Sequence, residues 1–353
     1  MSNNIATING QAAVFTGRAI PAWHKLGTTI QGVATWKEAM ELAGLNWKVE
    51  KRVLFDNAGK EVPAWGIFRN TDNTFLGVVG ERYQQIQNQE AFEFVDAMIG
   101  DNEAHFDSAG ALGNGEVIFC SAYLPSAGFE VVEGDTHQTY LMFKTSHDGS
   151  LSAICKLTDV RVVCQNTLTQ ALSGNGKEIK IKHTRNAQDR LRIAKNLIMS
   201  GKKTAEMIRD KMRMLTEKKV TKDSMEKVLG RLFPVNEAGE LATRTKNNIR
   251  DLLEYYENND KNAFPQIRGT AYNLLNACTE YADYSRSTRG GDENARTESA
   301  LFGSGEVFKA NAFDLIMKES EVMPAMTHQS GKGKPTVYAE PSAIDSILGM
   351  VQL

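Results

Sequence analysis

Apolar residues run together or alternate in the first half of the chain and recur at helical spacing in the second. The stretches WKVEKRVLF (47–55), VPAWGIF (62–68) and FLGVV (75–79) are rich in β-branched and aromatic residues. DNAGK and NTDN join them, so they predict a three-stranded meander. A second β-rich group follows in AHFDSAGAL, EVIFCSAYL and FEVVEG. Within it Gly113-Asn114-Gly115 marks a hairpin, since Asn and Gly tolerate positive φ. The densest run, Gln138–Leu172, reads as strand, tight turn, strand, short turn, strand and helix. Two helices punctuate these strands. One spans Thr35–Ala43, where Thr35 and Glu38 fit a capping box. The other begins at Asn88, repeats Phe92, Val95 and Ile99 on one face, and stops at Gly100.

After Thr184 the period changes. Leu191, Ala194, Ile198, Ala205, Ile208, Met212 and Leu215 alternate spacings of three and four, with Gly201 in the vacant slot. This heptad seam predicts a helix over 186–219, about 50 Å long, whose other faces are largely Lys and Arg. Further helices are predicted at 224–233, 244–258, 269–284 and 307–319, with a polar linker at 285–298. The class expected is α+β: an antiparallel, β-rich N-terminal domain with two packed helices (1–185), then a mostly α-helical domain (186–353). No fixed-period repeat is present, which argues against a solenoid.

Composition refines this picture only in places. With 353 residues, 41% hydrophobic and 24% charged, the chain has the profile of a globular protein of one large or two modest domains. No apolar run is long enough for a membrane span, and the start MSNNIATINGQ lacks the basic-then-apolar order of a signal peptide. A cytoplasmic location is expected. Cys120, Cys155, Cys164 and Cys278 lie in apolar runs without a CxxC pair, the pattern of buried reduced thiols. The six histidines are scattered singly, so neither a metal site nor a cofactor is expected.

Charge changes the picture more. The net charge of −2 hides a segment, 177–231, with 17 Lys and Arg against 7 Asp and Glu, a local balance of +10 against −12 elsewhere. Such a segment fits either a phosphate-rich partner or a solvated helix face.

Catalytic candidates fail on inspection. Ser146, His147 and Asp148 are adjacent in sequence, and neighbouring side chains on a strand point to opposite faces, so they form no triad. Asn166 and Thr167 read as a helix cap with an adjoining anion site. GSGEVFK (303–309) lacks the ending of a phosphate-binding loop. Glu280 and Asp283 read as a surface pair at i, i+3. His24 beside Trp23 reads as packing in an aromatic loop rather than base stacking. A three-residue loop at 148–150 would pair Phe143 with Cys155 and Leu141 with Leu157. The opposite face would then show Lys144, Ser146, Ser152 and Lys156, with Arg161 a turn away. That face suits phosphate contacts or plain solvation alike.

PAWHKLG, ERYQQIQNQEAFEFVD, FDSAGALGNGEV, SHDGS, RVVCQNTLTQAL and GTAYNLLNACTEYADY occur in that order along the chain. They resemble the phage/plasmid-like protein family, a domain of unknown function found in bacteriophages, plasmids and their hosts. The resemblance implies a mobile-element origin and a bacterial cytoplasm, and it carries over no catalytic residues. In outline the chain also resembles the Rad52-like single-strand annealing proteins of phages, which form rings or filaments and hold single-stranded DNA in a basic groove. The expectation is a non-catalytic, homo-oligomeric protein binding single-stranded DNA in recombination or replication. Its contacts would be Lys144, Lys156, Arg161, Lys180, Lys182, Arg185, Arg190 and Arg192. Two other classes stay open: an inhibitor of a host protein that uses the heptad seam, and a self-assembling structural protein.

Overall fold

The computed structural model describes residues 6, 13–16, 27–30, 35–99, 105–161, 167–169, 179–181, 205–235, 240–258, 264–288 and 293–321. Antiparallel sheets precede a helical region, as the α+β class requires. The chain divides into two interleaved compact units: Met1–Phe129, Gln138–Val160 and Thr169–Glu206 form one, and Glu130–His137, Arg161–Leu168 and Met207–Leu353 the other. No described helix is long and apolar enough to cross a membrane.

The first unit begins with two short strands, β1 (Ala13–Thr16) and β2 (Gly27–Ile30), which pair in parallel. Four residues are too few to show a sequence period, and neither strand was expected. Helix α1 (Trp36–Leu42) starts as predicted: Thr35 caps it and Glu38 reciprocates. The meander forms as β3 (Val49–Phe55), β4 (Glu61–Arg69) and β5 (Phe75–Val79), in the order β3-β4-β5. Helix α2 (Asn88–Ile99) follows.

Next come β6 (His105–Leu112), β7 (Val117–Glu130), β8 (Thr136–Ser146) and β9 (Ala153–Arg161). Strands β10 (Thr167–Thr169) and β11 (Ile179–Ile181) complete a sheet of order β10-β9-β8-β7-β6-β1-β2, with β11 also on β9. The predicted β6–β7 hairpin forms, and Gly113 and Gly115 take positive φ of 69° and 107°. The helix predicted after Asn166 is corrected by β10: Thr167, Leu168 and Thr169 extend the sheet beside β9. Two β-branched residues in three favour that pleated surface. Phe92 stacks on Phe106 with ring centroids 5.6 Å apart, and Phe94 meets Phe143 at the same distance, which fixes α2 against the strands.

In the second unit, α3 (205–216) precedes α4 (Lys222–Leu232), α5 (Thr243–Asn258) and α6 (Ala271–Glu280). Helix α5 buries Ile249, Leu252, Leu253 and Tyr256, the i, i+3, i+4, i+7 stripe of an amphipathic helix. Every residue of α6 is buried, so this helix is the centre of the unit. A single π turn, Tyr281–Ser285, continues it. Helices α7 (Glu293–Phe302) and α8 (Ser304–Glu319) close the unit. Phe233, Tyr281 and Phe308 form a ring cluster with centroids 5.5 to 5.9 Å apart.

Two expectations change here. Part of the polar linker at 285–298 is helix α7, whose Ala300 and Leu301 are buried; the first turns are polar enough to read as loop. Glu280 and Asp283 are buried rather than a surface pair, and Asp283 accepts a 2.6 Å bond from buried Lys309. In GSGEVFK, a side chain at Gly305 would approach the Ala300 and Ser299 backbone to 3.0 Å, so the glycine serves helix packing. Cys120, Cys155 and Cys278 are buried free thiols. Trp23, His24, Cys164 and Asn166 lie outside the described residues.

Candidate nucleic-acid interface

The first three predicted contacts sit on β8 and β9. Lys144 is 3%, Lys156 0% and Arg161 1% exposed. All nine residues of β9 are buried, as is the whole of β8 from Thr139 to Ser146. The solvated basic face expected from period-two alternation is therefore absent. That expectation assumed a sheet covered on one side, whereas here both faces are covered. Buried Asp107 and Asp159 lie on β6 and β9 of the same sheet. Interior ions are tolerated where opposite charge and hydrogen bonds compensate them.

Hydroxyl groups continue this polar interior. The Thr139 hydroxyl lies 2.7 Å from Asp159 Oδ1 and 2.8 Å from the Ala127 carbonyl. Ser108 and Ser121 are cross-strand partners whose hydroxyls lie 2.6 Å apart. Asp107 occupies a β-bulge between the pairs Phe106–Ala122 and Ser108–Ser121. Burial, then the carboxylate of Asp107, then Tyr123, hold the Tyr140 phenol well above its ordinary range. The group is an internal frame for the sheet rather than a surface.

The Ser146–Ser150 turn is also structural. The link between β8 and β9 spans 147–152, longer than the three residues expected. His147 is fully buried, and its Nε2 lies 2.9 Å from Asn88 Oδ1. Asn88 uses its amide hydrogens on the carbonyls of Leu45 and Trp47, so its Oδ1 accepts and His147 donates. The Trp47 ring meets His147 edge-on at 5.2 Å. Asp148 Oδ1 accepts from the amide and hydroxyl of Ser150, and Gly149 takes φ 76°. Ser146 exchanges two bonds with the Leu151 backbone, and Tyr83 donates to the Ser146 carbonyl at 2.8 Å.

Arg161 belongs to a buried network in the second unit that sequence reasoning missed. Its Nε donates to Asp135 Oδ1 at 2.6 Å. The Tyr272 hydroxyl donates to Asp135 Oδ2 at 2.8 Å and lies 2.9 Å from His137 Nε2, which must therefore donate to it. Burial is the largest influence on His137 and lowers its pKa to about 4; Asp135 pulls upward and Arg161 downward. The imidazole is thus neutral at pH 7. Asp135 and Tyr272 are 137 residues apart, and no local spacing announces their contact.

Exposed cations occur instead on the helices of the second unit and on the link between α3 and α4. Residues 207–250 hold 11 Lys and Arg against 6 Asp and Glu. Among these, Arg213, Lys218, Lys219, Lys222, Lys227, Arg231, Arg244, Lys246 and Arg250 are exposed. Some have local partners: Lys227 pairs with Asp223 at 2.6 Å, Arg231 with Glu319 at 3.0 Å, and Arg213 donates to the Glu130 carbonyl at 2.8 Å. Lys180 lies opposite Ile154 in the β11–β9 ladder. Lys182, Arg185, Arg190 and Arg192 fall outside the described residues. In the described half of the heptad seam, Ala205, Ile208, Met212 and Leu215 are at most 6% exposed. Those positions are occupied within the chain and offer no surface to another protein.

Among the described residues no group of three or more His, Cys, Asp and Glu could hold a metal ion. The model of a domain of unknown function, DUF932, matches residues 75–302. The chain belongs to this family. The matched segment runs from β5 into α7, and so contains the buried sheet charges, the Asp135 network and the basic helices. No curated protein and no solved structure matches the chain.

Proposed function

We propose that the protein is a phage-encoded, non-catalytic accessory of recombination or replication that holds single-stranded DNA by its phosphates. The observation that carries this reading is the run of nine exposed Lys and Arg side chains between Arg213 and Arg250. It extends the basic composition that begins at Lys177. Lys180, Lys182, Arg185, Arg190 and Arg192 belong to the same proposed contact region, and the interior positions of Lys144, Lys156 and Arg161 remove those three from it. Lysine and arginine that neutralise phosphates release counterions, so they bind with little base discrimination and weaken steeply with salt. The resemblance to phage and plasmid proteins, and in outline to Rad52-like annealing proteins, supports the same reading and a bacterial cytoplasmic location. A homo-oligomer, as those annealing proteins form, would assemble through surfaces other than the described seam.

The test is titration of the full chain with a fluorescent single-stranded oligonucleotide at about 50 and about 200 mM salt, a range over which phosphate-driven binding weakens steeply. The expected result is binding at low salt that weakens at high salt. No binding at low salt, or binding indifferent to salt, overturns the proposal.

A further inference from the structure

The three-stranded sheet β3-β4-β5 has two unlike faces. Lys51 pairs with Ile67 and Val53 with Trp65, and on this side Ile67 is fully buried and the other three are half-buried. On the other side Arg52 pairs with Gly66, which pairs with Val78, while Glu50 pairs with Phe68, which pairs with Phe75. There Phe75 is 49% and Val78 54% exposed. Gly66 carries no side chain, and a Cβ on it would come within 2.6 Å of the Phe68 ring and 3.0 Å of Leu54. One edge of the Phe68 ring therefore covers the glycine. Phe75 stands beside it, with centroids 5.4 Å apart and planes tilted by 60°.

Arg52 completes this surface. Its guanidinium lies over the Phe68 ring, 4.8 Å from the centroid. Its edge is already engaged: Nε and Nη2 donate to Glu50 Oε2 at 3.1 and 2.6 Å, and Nη2 donates also to Asn73 Oδ1 at 2.9 Å. A phosphate or carboxylate seeks the fork of donors along that edge, and Glu50 holds it. Nη1 keeps its two N–H groups, and with a side chain 40% exposed Arg52 also offers the planar face turned away from Phe68. A cationic plane attracts the electron-rich face of a flat ring. Since Glu50 occupies the Nε–Nη2 edge, the exposed face of the guanidinium favours a stacked ring.

We propose that this face of β3–β5 is a stacking platform for unpaired nucleobases, with the Arg52–Phe68 stack and Phe75 as its two planes. The proposal rests on the single-strand reading above and adds the contact to bases that the helical cations do not supply. Bases paired within a duplex are already stacked and hide their faces, so the platform selects single strands while tolerating any sequence.

The test compares an oligothymidylate with an abasic strand of equal length, each titrated into the full chain and into Phe75→Ala, Phe75→Tyr and Arg52→Ala variants. Phe75 is half exposed, so its loss spares the fold, and circular dichroism checks this. For Phe75→Ala and Arg52→Ala, affinity for the oligothymidylate should fall roughly tenfold, with binding of the abasic strand and the salt slope unchanged. Phe75→Tyr should retain binding. Equal binding of the oligothymidylate by the unsubstituted chain and both alanine variants overturns the platform and leaves the phosphate reading standing. No binding of either strand by the unsubstituted chain overturns both. Loss of self-association in Phe75→Ala, with DNA affinity intact, also overturns the platform and makes the face a contact between copies.

Discussion

In β8 and β9 the cations Lys144, Lys156 and Arg161 are at most 3% exposed, whereas between Arg213 and Arg250 nine Lys and Arg side chains reach solvent, seven on helices and Lys218 and Lys219 on the link between α3 and α4. The residue types are the same, and the difference lies in what surrounds them. The sheet is covered on both faces, so a cation there needs an interior counter-charge, such as the 2.6 Å bond from Arg161 to Asp135. On the helices an apolar stripe enters the core, and the remaining arc keeps its charge in water. A basic residue is thus a structural element in β8 and β9 and a candidate ligand contact between Arg213 and Arg250.

Removing one interior charge should break this comparison most visibly. Arg161→Ala leaves Asp135 buried without its cation and should cost roughly 3–5 kcal/mol in urea unfolding. Lys309→Ala, which removes the cation bonded to Asp283, should fall in the same range. Either variant unfolding at the unsubstituted urea midpoint would mean that these ions are dispensable.

Acid should come next, through His137. Its pKa in the fold is lowered from 6.5 to about 4, so between those values the unfolded chain binds the extra proton. Stability is therefore full above about pH 6.5 and declines as pH falls, by roughly 3 kcal/mol at about pH 4. His137→Asn should flatten that part of the pH profile, and an unchanged profile would contradict the assignment. Tyr272→Phe removes one hydroxyl that both donates to Asp135 and accepts from His137. It should cost about 1–3 kcal/mol.

The smallest stability effects belong to the exposed cations. Lys218→Ala, Lys222→Ala, Lys246→Ala and Arg250→Ala should each shift stability by less than about 0.5 kcal/mol. A larger loss in any of them would blur the contrast with the sheet.

The sequence disclosed most of the fold. The meander, the β6–β7 hairpin, the Thr35–Glu38 capping box and the stripes of α3 and α5 all rest on local period and turn chemistry. Strands β1 and β2 were hidden because four residues carry no period, and α7 because its first turns are polar. The interface was less legible. Alternation along β8 and β9 shows which residues share a face, but not whether another layer covers it, and that alone decided the fate of Lys144 and Lys156. Arg161, Asp135, His137 and Tyr272 were invisible as a group because only tertiary folding brings them together. The Arg52–Phe68 stack depends on cross-strand register at Gly66, which no single strand displays.

The central claim is that the exposed cations between Arg213 and Arg250, not the cations of β8 and β9, meet the phosphates. It is tested most directly by the salt dependence of single-strand binding in the unsubstituted chain and in a Lys218→Ala, Lys222→Ala, Lys246→Ala, Arg250→Ala variant. If each of the four neutralises a phosphate, the slope of log K against log salt should become shallower by roughly 0.7 for every cation removed, about 3 in all. An unchanged slope and affinity in a folded variant would contradict the account.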